Sequence, residues 1–150
     1  MTTDVLQLLT SLILGLFVGS LLTEGVILVP YWRSLKPENF LNMHGTMGPQ
    51  LFRYFAPLTV AATFIPAITF VICYSASAEG WVYSAIVAFI MLAILGIFYY
   101  YFKNANASFA SGSVGVEGLP AELKRWSNWH WLRTVMGLFA FALSLFVLTK

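Results

Sequence analysis

Between Trp126 and Arg133 the sequence reads WSNWHWLR, and an uncharged run follows from 134 to 149. An imidazole accepts a proton near neutral pH. A guanidinium one helical turn on can hold an oxygen as negative charge develops on it. His130 and Arg133 are therefore a candidate base and a candidate oxyanion partner. The indoles of Trp126 and Trp129 offer flat faces to an aromatic ligand. Glu24 stands far upstream, with no other charged residue between positions 5 and 32. It can orient the histidine or balance the arginine. His44, Arg53 and Asn104 complete the candidate set, as residues that would line a binding site beside these groups.

These residues must be carried by elements that live in lipid. The chain has 150 residues, of which 59% are hydrophobic and only 9% charged. A soluble domain carries about 25% charged residues, so this composition excludes one. The charge-free runs are 5–23, 54–78, 80–102 and 134–149. A helix needs roughly 20 apolar residues to cross the ~30 Å hydrocarbon core. The last run borrows from the stretch before it, which puts His130 and Arg133 at or inside the boundary. The expected fold is all-α, a membrane-embedded four-helix bundle forming one domain, with spans near 5–31, 50–75, 80–103 and 126–149. The segments lack two-residue alternation and are too long for the strands of a barrel. The first run has no basic segment before it and no small-residue cleavage site after it, so it reads as a span rather than a leader. The net charge of +2 is too small and diffuse for a nucleic-acid partner. The single Cys73, in FVICY, reads as a small buried hydrophobe.

The connections add detail. WRSLKPENFLNMHGTMGPQ contains a short helix starting at Pro37, interrupted near Gly45, Gly48 and Pro49. The Gly/Ser-rich third connection restarts as a helix at Pro120. Arg33, Lys36, Arg53, Lys103, Lys124, Arg125 and Arg133 gather at connections one and three, with only Lys150 at the other side. The positive-inside rule then places 32–49 and 104–125 in the cytoplasm and both termini outside, with a bacterial inner membrane as the expected location. Glu24, His44, Arg53, Asn104, His130 and Arg133 all fall at the cytoplasmic end, and ionisable groups in spans mark function. The opposite end holds almost nothing polar except Glu79 and Lys150. At 100° per residue, Trp126, His130, Arg133 and Gly137 share one stripe. Small residues mark packed faces, so this stripe points inward and Trp131 points to lipid. Gly15, Gly19 and Thr23 predict a second close helix contact.

No ligand set for a metal appears in the spacing. No cofactor is expected. A haem between His44 and His130, both at the same end, is the one candidate, and nothing in the spacing demands it.

The order of features is similar to the anthrone-oxygenase-like family of small four-helix integral membrane proteins. It is carried by GLFVGSLLTEGVILVPYWRSL, by ENFLNMHGTMGPQLFRYFAPLTVAATF, by an Asn-bearing end to the third span, and by ELKRWSNWHWLRTVMGLFAFALSLFVL. Its most specific part is Arg125, Trp126, Trp129, His130, Arg133 and Thr134. The third span departs from the family pattern, since YYYFKNANASF holds no proline. The resemblance implies oxidation of an anthrone-like aromatic substrate by molecular oxygen. His130 would remove an acidic C–H proton, Arg133 would stabilise the enolate, and Trp126 and Trp129 would stack on the ring system. The rival expectation is a non-catalytic bundle: a small subunit of a larger membrane complex, a homo-oligomer, or a carrier of haem, quinone or lipid.

Overall fold

The structure is a computed structural model that describes residues 2–149. Four long helices account for almost all of it: α1 (Thr2–Ser34), α2 (Pro37–Ser75), α3 (Trp81–Ser111) and α4 (Gly115–Val147). No strand occurs among the described residues. Each helix is long and apolar enough to cross a bilayer. At ~1.5 Å per residue they exceed the ~30 Å core, so their ends project from it. Each helix packs on its two neighbours in the order α1, α2, α3, α4 and back to α1. The chain is an integral membrane protein built as an up-and-down bundle. Its outer faces are apolar and open to lipid, as at Leu16 and Phe89.

The sharp connections have local causes. Leu35 and Lys36 are extended, and Pro37 then starts α2, where its missing N–H costs nothing. The α2–α3 turn closes on Gly80, with φ 79°, and Gly112, with φ 70°, ends α3. Both lie in the left-handed region that glycine enters freely.

Two expectations fail here. The helix from Pro37 is not interrupted near Gly45, Gly48 or Pro49; it continues unbroken into the second span. Packing outweighs propensity. Phe40 and His44, one turn apart, bury against Trp32 of α1 and Phe109 of α3, which holds that stretch in helical register. Likewise α4 starts at Gly115 rather than at Pro120, which sits inside its opening turns.

Two helices widen locally to i→i+5 hydrogen bonding, at Glu24–Leu28 in α1 and Phe98–Phe102 in α3. In α1 the cause is near at hand. Pro30 cannot donate to the carbonyl one turn back, and its ring crowds that carbonyl. The wide turn relieves the clash, and Val29 N–H reaches back to the Glu24 carbonyl. Such turns insert one residue into the helix and recur at functional sites.

Two apolar clusters fill the interior. One is aliphatic and central, around Leu14, Phe17, Leu21, Met91 and Ala140. The other is aromatic and lies toward connections one and three, around Trp32, Phe40, Phe102, Phe109 and Trp126. Gly137 and Gly15 meet neighbouring helices closely, as expected: a Cβ on Gly137 would stand 3.1 Å from Val18, and one on Gly15 would stand 3.2 Å from Phe141. Gly19 does not, for nothing lies within 4 Å of the equivalent position. The other half is also more polar than its charges suggest. Gln7, Thr10, Thr69, Ser84 and Ser144 are buried there, with Thr10 and Thr69 hydroxyls 2.9 Å apart and Gln7 bonded to the Cys73 sulfur at 3.6 Å.

Candidate functional site

The Glu24 carboxylate leaves α1 where the helix widens and points into the bundle, 4% exposed. Arg133 of α4 answers it. One guanidinium nitrogen, Nη2, donates to Glu24 Oε2 at 3.1 Å. The same nitrogen lies 2.9 Å from His130 Nδ1. The Arg133 guanidinium also rests over the Phe102 ring, 4.1 Å from its centroid, and 5.6 Å from that of Trp126. A cation held on π faces and one carboxylate is charge-balanced and well directed.

His130 is wholly buried. Its Nε2 stands 2.9 Å from the Leu21 carbonyl oxygen, which can only accept. So Nε2 carries the proton, and Nδ1 presents its lone pair to Arg133. One neutral tautomer satisfies both contacts. The ring also stacks on Trp126 at 5.2 Å and 7°. Gly25 permits this close approach: a Cβ there would stand 2.9 Å from His130 Nε2.

Trp126 is the hub of the aromatic cluster. Its Nε1 donates to Asn106 Oδ1 at 2.9 Å, which ties α4 to α3. Its ring meets Trp32 at 5.7 Å and Phe102 at 5.2 Å. Further along, the Tyr101 hydroxyl donates to Glu122 at 2.7 Å, and Arg125 lies over the Tyr101 ring.

In front of this wall lies a cavity of about 500 Å³. Glu24, Arg133, Trp32, Trp126, His44 and Asn106 form its polar side. Phe52 and Phe55 of α2, with Leu95, Phe98 and Tyr99 of α3, form its apolar side. Phe52 and Tyr99 are themselves 60% and 61% exposed on the outer surface. The cavity therefore reaches the lipid-facing side between α2 and α3. Its size and its mix of apolar walls with a few polar groups are those of a small-molecule site.

Three of the lining side chains hold enclosed polar atoms with no partner: Trp32 Nε1, His44 Nδ1 and Arg133 Nε. Buried polar groups are nearly always satisfied, so each exception asks for a reason. Among the described residues one further such atom, Ser11 Oγ, lies away from the cavity; the other three are on residues that line it.

The residues singled out from the sequence divide accordingly. Glu24, His44, Trp126 and Arg133 line the cavity. His130 stands behind them with both ring nitrogens engaged. A haem held between His44 and His130 would therefore find a free nitrogen only on His44. Trp129 turns away and stacks on Tyr101 at 5.6 Å. Arg53 and Asn104 are exposed and do not line the cavity. Among the described residues no group of three or more His, Cys, Asp or Glu side chains could hold a metal ion.

Two of the six residues on the polar side were not anticipated. Asn106 occupies the inward position that Asn104 was expected to hold; two residues apart on a helix, the pair diverges by about 200°, so only one can face in. Trp32 lies eight residues after Glu24, about 80° away on a regular helix. The inserted residue of the wide turn makes that spacing behave as seven, and the two return to within about 20°.

Comparison with known proteins finds no matching family model, no matching curated protein and no matching solved structure.

Proposed function

We propose that this protein binds a hydrophobic aromatic molecule, drawn from the bilayer between α2 and α3, and oxidises it with molecular oxygen without a resident cofactor. The observation that carries the reading is the cavity of about 500 Å³ with the buried Glu24–Arg133 pair at its polar side. An acidic methylene beside a ring carbonyl, as in an anthrone, suits that pair. Glu24 Oε2 is held by Arg133, and Glu24 accepts the C–H proton. The Arg133 guanidinium stabilises the oxygen on which enolate charge gathers. The carbanion adds oxygen to give a hydroperoxide, which loses water and leaves a carbonyl. One methylene and one O₂ thus become one carbonyl and one water. His130 acts as a positioning residue in this scheme, because its Nδ1 holds Arg133 and its Nε2 is bonded to Leu21. The resemblance to anthrone-oxygenase-like proteins supports the same reaction.

The full occupation of His130 also favours a second reading, in which the cavity binds such a molecule and performs no chemistry on it. The two separate in one experiment. The purified protein is mixed with anthrone in air, and anthraquinone absorbance and oxygen uptake are followed. Saturable turnover that disappears in Glu24→Gln supports the oxidation. Saturable binding with no oxygen uptake leaves the binding reading alone. Absence of both removes the proposal.

A further inference from the structure

The oxidation proposed above uses Glu24 and Arg133 and leaves two other polar side chains of the cavity lining unexplained. Trp32 is 3% exposed and His44 is 7% exposed, and both line the cavity. Trp32 Nε1 and His44 Nδ1 are enclosed without a hydrogen-bond partner. Their ring centroids are 6.5 Å apart and the ring planes nearly perpendicular. The neighbours are Phe40, Phe109 and Trp126, which pack but offer the imidazole no acceptor or charge. Trp32 lies about 12 Å along α1 from Glu24, by helical rise.

We propose that Trp32 and His44 form a second polar subsite of this cavity, one that takes the hydroxyl oxygen of an uncharged, phenol-class aromatic ligand. The chemistry of the two groups selects the hydroxyl. An indole N–H only donates, whereas a neutral imidazole can accept at one nitrogen. A hydroxyl oxygen accepts from Trp32 and donates its own proton to His44, so it satisfies both at once. An ether or ketone oxygen could accept from Trp32 but would leave His44 without a proton to accept. The ligand is uncharged because Glu24 and Arg133 already balance each other inside the cavity. A carboxylate or phosphate would arrive with no cation left to meet it. The subsite sits toward the helix ends, where the hydroxyl of an amphiphile is less costly to place than at the bilayer centre.

This rests on the cavity holding an aromatic ligand, and the test separates the two ideas. Binding of 2-naphthol, 2-methoxynaphthalene and 2-methylnaphthalene to the detergent-solubilised protein is measured against detergent alone. The naphthol is expected to bind about tenfold more tightly than either analogue, the effect of one well-made buried hydrogen bond. Trp32→Phe and His44→Phe should each reduce that preference to about threefold or less, with the hydrocarbon's affinity kept. Equal affinity for all three probes overturns the subsite and leaves the apolar cavity standing. Equal affinity for the naphthol and its methyl ether overturns the role of His44. No saturable binding of any probe overturns the cavity reading and the subsite with it. A chemical measurement on the parent protein guards against a variant that fails to fold. The chain has only two histidines. Diethylpyrocarbonate should acylate His44 and spare His130, and 2-naphthol should protect His44. Failure of protection, or preferential labelling of His130, overturns the proposal.

Discussion

Replacing Glu24 by Gln tests the polar pair with almost no change of shape. The pair lies within the bundle, the two side chains 5% and 13% exposed, joined at 3.1 Å. Removing one partner of a buried ion pair typically costs ~3–5 kcal/mol, because the other charge is left uncompensated. The glutamine carbonyl can still accept from Arg133 Nη2, and the ring faces of Phe102 and Trp126 still support the cation, so the lower end applies. At about 2–4 °C per kcal/mol for a chain of this size, a loss near 3 kcal/mol lowers the melting temperature by roughly 6–12 °C. Thermal unfolding in detergent, followed by tryptophan fluorescence, reads this directly. Arg133→Met should cost at least as much, since it strands a carboxylate and also removes the donor to His130. The decisive variant is the double one. With both charges gone nothing is stranded, and the double mutant should be more stable than the sum of the single losses by at least ~1 kcal/mol. Strict additivity, or a Glu24→Gln variant that melts like its parent, would refute the account of a coupled buried pair.

The remaining expectations are quickly put to the test. Gly25→Ala places a methyl 2.9 Å from His130 Nε2 and should destabilise by ~1–3 kcal/mol through overpacking, whereas Gly19→Ala, with open space beside it, should be neutral or gain up to ~1 kcal/mol of helix propensity; equal melting of the two would remove the tight contact. Trp126→Phe keeps a ring in the cluster but deletes the bond to Asn106, and a loss of ~1–2 kcal/mol is expected, with Asn106→Ala adding little more in the double variant. For orientation, a cysteine at Ser113 in a Cys73→Ser background should resist an impermeant thiol reagent in intact cells, because the Lys and Arg residues gather at that end of the bundle; ready labelling would invert the topology.

The fold was legible because lipid leaves few choices. Long uncharged runs had to be helices, and glycine positions 15 and 137 named true contact faces. Regular periodicity failed at Gly19, which carries no side chain and so no signal of its own about what it faces. It failed again at Gly45, Gly48 and Pro49, where local punctuation predicted a break. The burial of Phe40 and His44 against distant Trp32 and Phe109 kept the helix whole, and that contact is invisible to any local rule. The site was half legible for a related reason. Glu24, Trp126 and Arg133 could be found by asking which polar groups share a depth and a stripe. Trp32 could not, because the wide turn before Pro30 shifts the register by one residue.

The histidine in WSNWHWLR marks where sequence reasoning and geometry part. Spacing could bring His130 beside Arg133 but could not assign its nitrogens. Packing did that: Gly25 lets the ring reach the Leu21 carbonyl, Trp126 covers its face, and Arg133 takes the remaining lone pair. A base needs a free lone pair facing its substrate, and His130 offers none without breaking a bond. What it does offer is a fixed acceptor that, with Glu24, uses both hydrogens of one Arg133 nitrogen. The arginine is thereby pinned against the wall while its Nε stays unpartnered at the cavity. The groups that can still exchange a proton with a ligand are therefore Glu24 and His44, and Trp32 Nε1 and Arg133 Nε remain as donors without a partner. The chemistry of the site lies one layer in front of the residue that first drew notice.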